Sequence, residues 1–201
     1  LNEDNNFKLD EIIMILWFFG VTNNNNELVY PKLIGKLNEF TEIDYDNLPK
    51  EILLKLHYMN TLLTYENKIA VELLKPNINQ LLIRNLKISI DKLDSPFFND
   101  VENYLRKNDY VYEKDVFYKN GDVSTLPFEF GLEHNNFIFL VDRNSYLSNT
   151  KLEKGDVIIK RKIMNALKIK CRVFEFYEWI RLQRRHEKNT YFKLKLKGIA
   201  Q

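Results

Sequence analysis

The sequence predicts an α+β chain in two parts, N-terminal α-helical hairpins followed by a small C-terminal α/β module. Three observations predict it. Apolar residues recur at helical spacing through roughly the first hundred positions. Runs rich in β-formers, bounded by turn signals, begin near Tyr110. The charge also changes sign along the chain. Up to Thr150 there are 15 Lys+Arg against 23 Asp+Glu, a net of −8, whereas from Lys151 onward 15 Lys+Arg face 5 Asp+Glu, a net of +10. Such asymmetry predicts a polyanion-binding end joined to an ordinary or protein-facing one.

Composition narrows the class. With 45% hydrophobic and 13% aromatic residues and only 6 Gly and 5 Pro, the chain carries enough apolar surface for a packed core and is not a disordered tail. The single cysteine, Cys171, excludes an internal disulfide framework and a zinc site built from cysteines, and fits a reducing compartment. His57, His134 and His186 show no metal-ligand spacing. The apolar run Ile12–Gly20 is too short for a bilayer and reads as a buried helix, so no membrane partner is expected. Asn23–Asn26 reads as a solvated loop.

In the first part, Phe7, Ile12, Ile13, Leu16 and Phe19 recur at helical spacing, and Gly20 is expected to stop the run. Pro31–Phe40 forms a second expected helix. Pro49 takes a first-turn position ahead of Ile52, Leu53, Leu56, Met59 and Leu63. Lys68–Lys75, ended by Pro76, and Ile78–Leu93 follow. Ser95-Pro96 gives a cap and first turn for Phe97–Lys107. In the second part, Tyr110–Phe117 and Phe128–Leu132 read as strands around the turn signal Lys119-Asn120-Gly121-Asp122. Phe137–Asp142 is a third strand, reached through Glu133–Asn136. A helix over Asp156–Ile169 places Lys160, Arg161, Lys162 and Lys168 on or near its wet side. Strand Cys171–Phe176, helix Tyr177–Glu187 and a short helical end at Tyr191–Leu196 complete a β-β-β-α-β-α order. The boundary falls between Lys107 and Tyr110, giving parts 1–108 and 109–201.

The last 75 residues or so resemble the RAP domain, a family named for RNA binding and its abundance in apicomplexans. The residues that carry the resemblance are Phe128-Glu129-Phe130-Gly131-Leu132, Ile138-Phe139-Leu140-Val141-Asp142, Gly155, the basic pair Lys160-Arg161, Val173–Phe176, Tyr177-Glu178-Trp179 and the terminal Tyr191-Phe192-Lys193-Leu194-Lys195-Leu196. The resemblance implies a fold like that of restriction endonucleases, which use two acidic groups and a lysine around a divalent metal. Glu129 and Asp142 are the acids available for such a nuclease. Leu140, however, stands where many RAP domains carry a Glu. Arg143 stands where Gly is usual, and Tyr146 where His is common. These departures predict a pseudo-nuclease, not an enzyme, with no metal and no cofactor.

The expected ligand is RNA. Arg181, Arg184 and Arg185, at i, i+3 and i+4, are expected to share a helix face as a row of guanidinium groups on phosphates. Lys160, Arg161 and Lys162, with Lys193, Lys195 and Lys197, form two flanking clusters that can track a backbone. Tyr146 is a candidate for stacking on a base, and Trp179 reads as core. By resemblance, the chain is expected to act in the mitochondrial matrix on organellar RNA, rRNA or its fragments, as a ribosome subunit or an assembly or processing factor. Its acidic helical half would then meet neighbouring ribonucleoprotein proteins. The alternatives are a metal-dependent RNA nuclease using Glu129 and Asp142, and a protein-interaction scaffold.

Overall fold

The computed structural model describes residues 7–22, 29–65, 74–86, 95–120, 123–148 and 150–198. The chain divides into two compact units. One comprises residues 1–89 and 158–167, the other residues 90–157 and 168–201. Among the described residues, no helix is long and apolar enough to cross a membrane.

The first unit is helical: α1 (Leu9–Thr22), α2 (Val29–Leu37), α3 (Glu42–Asp46), α4 (Lys50–Tyr65), α5 (Pro76–Leu86) and most of α7 (Gly155–Ala166). Its centre is α4, where every residue from Leu56 to Leu62 is buried, including His57, Asn60 and Thr61. Gly20 does not stop α1, which continues to Thr22. Its role is steric: a Cβ there would collide with the thioether of Met59 and reach 3.1 Å from Cδ1 of Ile159. The glycine therefore allows the helices to approach closely. Helix α3 is absent from the expected elements, although its signal was there. Thr41 and Asp44 form a capping box, with the Asp44 carboxylate accepting from Thr41 N–H at 2.8 Å. Those hydrogen bonds hold the Asp44 carboxyl below its ordinary range. The expected helix Lys68–Lys75 lies mostly outside the described residues, and Pro76 opens α5 instead of merely ending a predecessor. Asn23–Asn26 and the end of the expected helix Ile78–Leu93 also lie outside them.

The second unit is α+β. Strands β1 (Tyr112–Asn120), β2 (Val123–Leu132), β3 (Asn136–Val141) and β4 (Cys171–Glu175) form one mixed sheet in the order β1-β2-β3-β4. The first three pair antiparallel, and β4 pairs parallel to β3, with Leu140 opposite Phe174. The hairpin β1–β2 is longer than the sequence suggested, and its turn residues Gly121 and Asp122 lie outside the described residues. His134 and Asn135 take left-handed backbone angles in the β2–β3 connection. Residues Phe137 to Val141 of β3 are all buried, as befits a strand inside a sheet.

Helices α6 (Pro96–Lys107), α8 (Phe176–Trp179) and α9 (Arg185–Lys195) share a core with this sheet. Phe98 stacks on Phe130 at 4.7 Å between centroids, and Phe97 lies 5.2 Å from Trp179. The Ser95 hydroxyl caps α6 by accepting from Phe98 N–H at 3.1 Å, with Pro96 in the first turn. Helix α6, grouped with the helical part in the sequence reading, thus belongs to the sheet-bearing unit. Most of α7, grouped with the α/β part, belongs to the helical unit.

Candidate nucleic-acid interface

The basic residues expected to bind RNA separate into two sets with different surroundings. Those of α7 sit in the first unit and are drawn inward. Lys160 is only 6% exposed, which corrects its expected place on the wet side of the helix. Its burial removes it from the candidate interface. Arg161 and Lys162 are half-buried. The Lys162 ammonium donates to the backbone carbonyl of Gly20 and lies 3.4 Å from that of Val21. These belong to the last turn of α1, which carries no basic residue of its own. A cation there satisfies carbonyls left without partners at a helix end and complements their dipole.

The second set lies in the sheet-bearing unit. Arg181, Arg184 and Arg185 are all exposed, but they do not share one helix face. The expected helix Tyr177–Glu187 is broken. Helix α8 ends at Trp179, residues 180–184 are not helical, and α9 begins at Arg185. The cause is local. The Glu187 carboxylate accepts from the backbone N–H groups of Gln183 (3.1 Å) and Arg184 (3.0 Å), which starts a new helix. Trp179, 7% exposed, is anchored at the other side of the break by Nε1–H donation to Asp100 Oδ2 at 3.1 Å. The three arginines therefore project from a connection and the first residue of α9.

Further along α9, Lys193 is exposed, as is Lys197 just beyond it. Lys195 instead pairs with Glu178 at 2.8 Å and lies 5.4 Å from the Tyr191 ring centroid. The Tyr191 hydroxyl donates to the same Glu178 carboxylate at 3.0 Å and accepts from Glu175 N–H at 3.1 Å. Burial pushes the Tyr191 phenol well above its ordinary pKa. Glu178 thus holds a lysine and a tyrosine in place.

Tyr146 does not offer a ring for stacking. It is 7% exposed, its hydroxyl donates to Glu175 Oε2 at 2.5 Å, and Tyr177 meets it edge-on at 4.6 Å. The two acids of the nuclease alternative have structural partners. Glu129 accepts from Leu140 N–H at 2.8 Å, beyond the last β2–β3 backbone pair. Asp142 accepts from Ser145 N–H at 3.0 Å and Ser145 Oγ–H at 2.8 Å, capping a short turn.

A groove of about 590 Å³ opens beside the seam of α6 and α9. Its apolar wall is Tyr104 and Phe192, whose rings lie 5.0 Å apart. Asn103, Asn108, Gln183 and Asn189 contribute amides, and Lys107, Arg185 and Lys188 contribute cations. The one acid in the lining, Asp100, is already engaged. Lys188 pairs with it at 2.7 Å and sits 4.1 Å over the Trp179 ring. Sequence reasoning missed this groove because Asn103 and Lys107 read as the ordinary wet face of an amphipathic helix. No protein-family model matches this chain, and no curated protein sequence matches it.

Proposed function

We infer that the chain is a non-catalytic RNA-binding protein whose sheet-bearing unit makes the contact. The observation that carries the reading is the set of outward cations at its C-terminal end. Arg181, Arg184, Arg185, Lys193 and Lys197 are all exposed, and none forms an ion pair with a described carboxylate. Like charges crowded over so short a stretch repel one another unless an anion lies across them. A phosphate backbone supplies that anion, and release of its condensed counterions drives association. Arginine suits the task because its planar fork engages phosphate oxygens two at a time. The RAP resemblance agrees with this reading and extends it to a restriction-endonuclease-like fold, to organellar rRNA as ligand, and to a place in or around the mitochondrial ribosome. RNA shape, not base sequence, would then dominate recognition.

The test is the salt dependence of RNA affinity, measured on the whole chain. Engagement of about three to five phosphates predicts a log–log slope of roughly −2 to −4. A flat dependence between low and physiological salt sinks the reading.

A further inference from the structure

We propose that the groove beside α6 and α9 receives a single unstacked nucleotide from an RNA strand held by the neighbouring cations. This deepens the RNA-binding reading and rests on it. The groove has the volume of a small-ligand site, which typically spans about 300–1,000 Å³. Its chemistry matches each part of a nucleotide. The half-buried Tyr104 ring, backed by the buried Phe192, is an aromatic surface for a base. Side-chain amides both donate and accept, which is what the edge of a base requires. Among the described residues, the Gln183 and Asn189 side-chain amides have no hydrogen-bond partner, so both remain available. Asn108 uses its Nδ2–H on the Tyr104 carbonyl at 2.8 Å, which leaves its oxygen to accept. Lys107 and Arg185 are exposed in the lining, where a phosphate would pass.

The lining also argues against a plain anion site. A carboxylate or a lone phosphate would use the cations and leave the amides and the ring without purpose. A duplex would not fit either. Bases in an A-form helix are stacked and paired, so only an unpaired nucleotide can turn its face and edge into the groove. Arg185 belongs both to the outward cationic set and to the groove, so a strand lying along the first passes the mouth of the second.

The test compares a labelled single-stranded RNA with a fully paired RNA of the same length, each titrated with the whole chain by fluorescence anisotropy. Tyr104→Leu keeps an apolar contact with Phe192 but removes the aromatic face, and Gln183→Ala/Asn189→Ala removes the two available amides. Each variant is expected to weaken single-strand binding about tenfold and to leave duplex binding unchanged. Asn189→Ala alone changes one exposed side chain and serves if either larger variant fails to melt cooperatively; a loss of single-strand affinity in it supports the proposal. Equal losses for both RNAs, or none for either, overturn it. Salt-dependent binding in the wild type with no response in the variants overturns the groove alone. A wild type that binds neither RNA overturns the groove and the RNA reading together. A third arm titrates adenosine monophosphate. Saturable binding of that nucleotide, with RNA affinity indifferent to the variants, assigns the groove to a free nucleotide and overturns the proposal.

Discussion

The two basic clusters differ in what surrounds them, although their sequences look alike. On α7, Lys160 is buried and Lys162 donates to carbonyls at the end of α1. On and before α9, Arg181, Arg184 and Arg185 face solvent. A count of positive residues treats the two as one feature. Packing draws the first into the helical unit and leaves the second exposed to solvent. A cation already satisfied by carbonyls has little left to offer a phosphate, whereas a hydrated guanidinium exchanges water and counterions for one readily.

The largest expected difference between the clusters is in affinity. Arg181→Gln, Arg184→Gln and Arg185→Gln combined should weaken RNA binding by about 10- to 100-fold at physiological salt and flatten the salt slope by roughly 2. Filter binding across a salt series checks it, and an unaltered slope breaks the distinction. The matching change inside the helical unit, Lys162→Met, should leave RNA affinity alone. It should cost about 1–2 kcal/mol of stability by leaving α1 carbonyls without a donor. Thermal melting reads this as a drop of about 2–4 °C per kcal/mol for a chain of this size. If Lys162→Met impairs RNA binding without lowering the melting temperature, the inward assignment is wrong.

A smaller effect concerns the break that displays the arginines. Glu187→Ala removes the acceptor for the Gln183 and Arg184 amides and should cost about 1 kcal/mol. Hydrogen exchange at those two amides should accelerate while β3 stays protected. The smallest effect is a pH response. Glu102 pairs with Lys114 at 2.7 Å, with side chains 21% and 47% exposed, so solvent screens the pair and its contribution is small. The hydrogen bond from Lys114 holds the Glu102 carboxyl below its ordinary 4.5. A lowered acid pKa gives stability that is full above 4.5 and lost as pH falls through the lowered value. Lys114 is raised above 10.5 by the same partner, so its share is full below 10.5 and fades only as pH rises through the raised value. Urea melts of Glu102→Gln should therefore show a shallower acid decline than the wild type.

Local patterns made much of the fold legible. Ser95-Pro96 marked the start of α6, and the apolar runs Phe128–Leu132 and Phe137–Asp142 marked neighbouring strands. Features that depend on distant partners were not legible. The break at the three arginines is the exception: they keep the spacing of a helix face, and the capping signal that starts a new helix, the Glu187 carboxylate on the Gln183 and Arg184 amides, is local and was passed over. Lys160 sits in a basic run that looks solvated, and its burial follows from packing in the helical unit. Tyr146 looked available because nothing nearby in sequence reveals Glu175 as its partner, 29 residues away. The groove is the extreme case. Its amides and cations come from two helices and a connection more than seventy residues apart in the chain, so no local window contains it.

The passage of α7 through the helical unit bears on how the chain is made. On a ribosome the N-terminal helices emerge first, but Ile159 and Lys162, which complete the packing at Gly20, arrive only after three strands of the other unit have been synthesised. The helical unit therefore cannot finish before the sheet has begun, and neither can be released whole by a single cut between them. A chain assembled in this order leaves the packing at Gly20 without its last partners until α7 has been made.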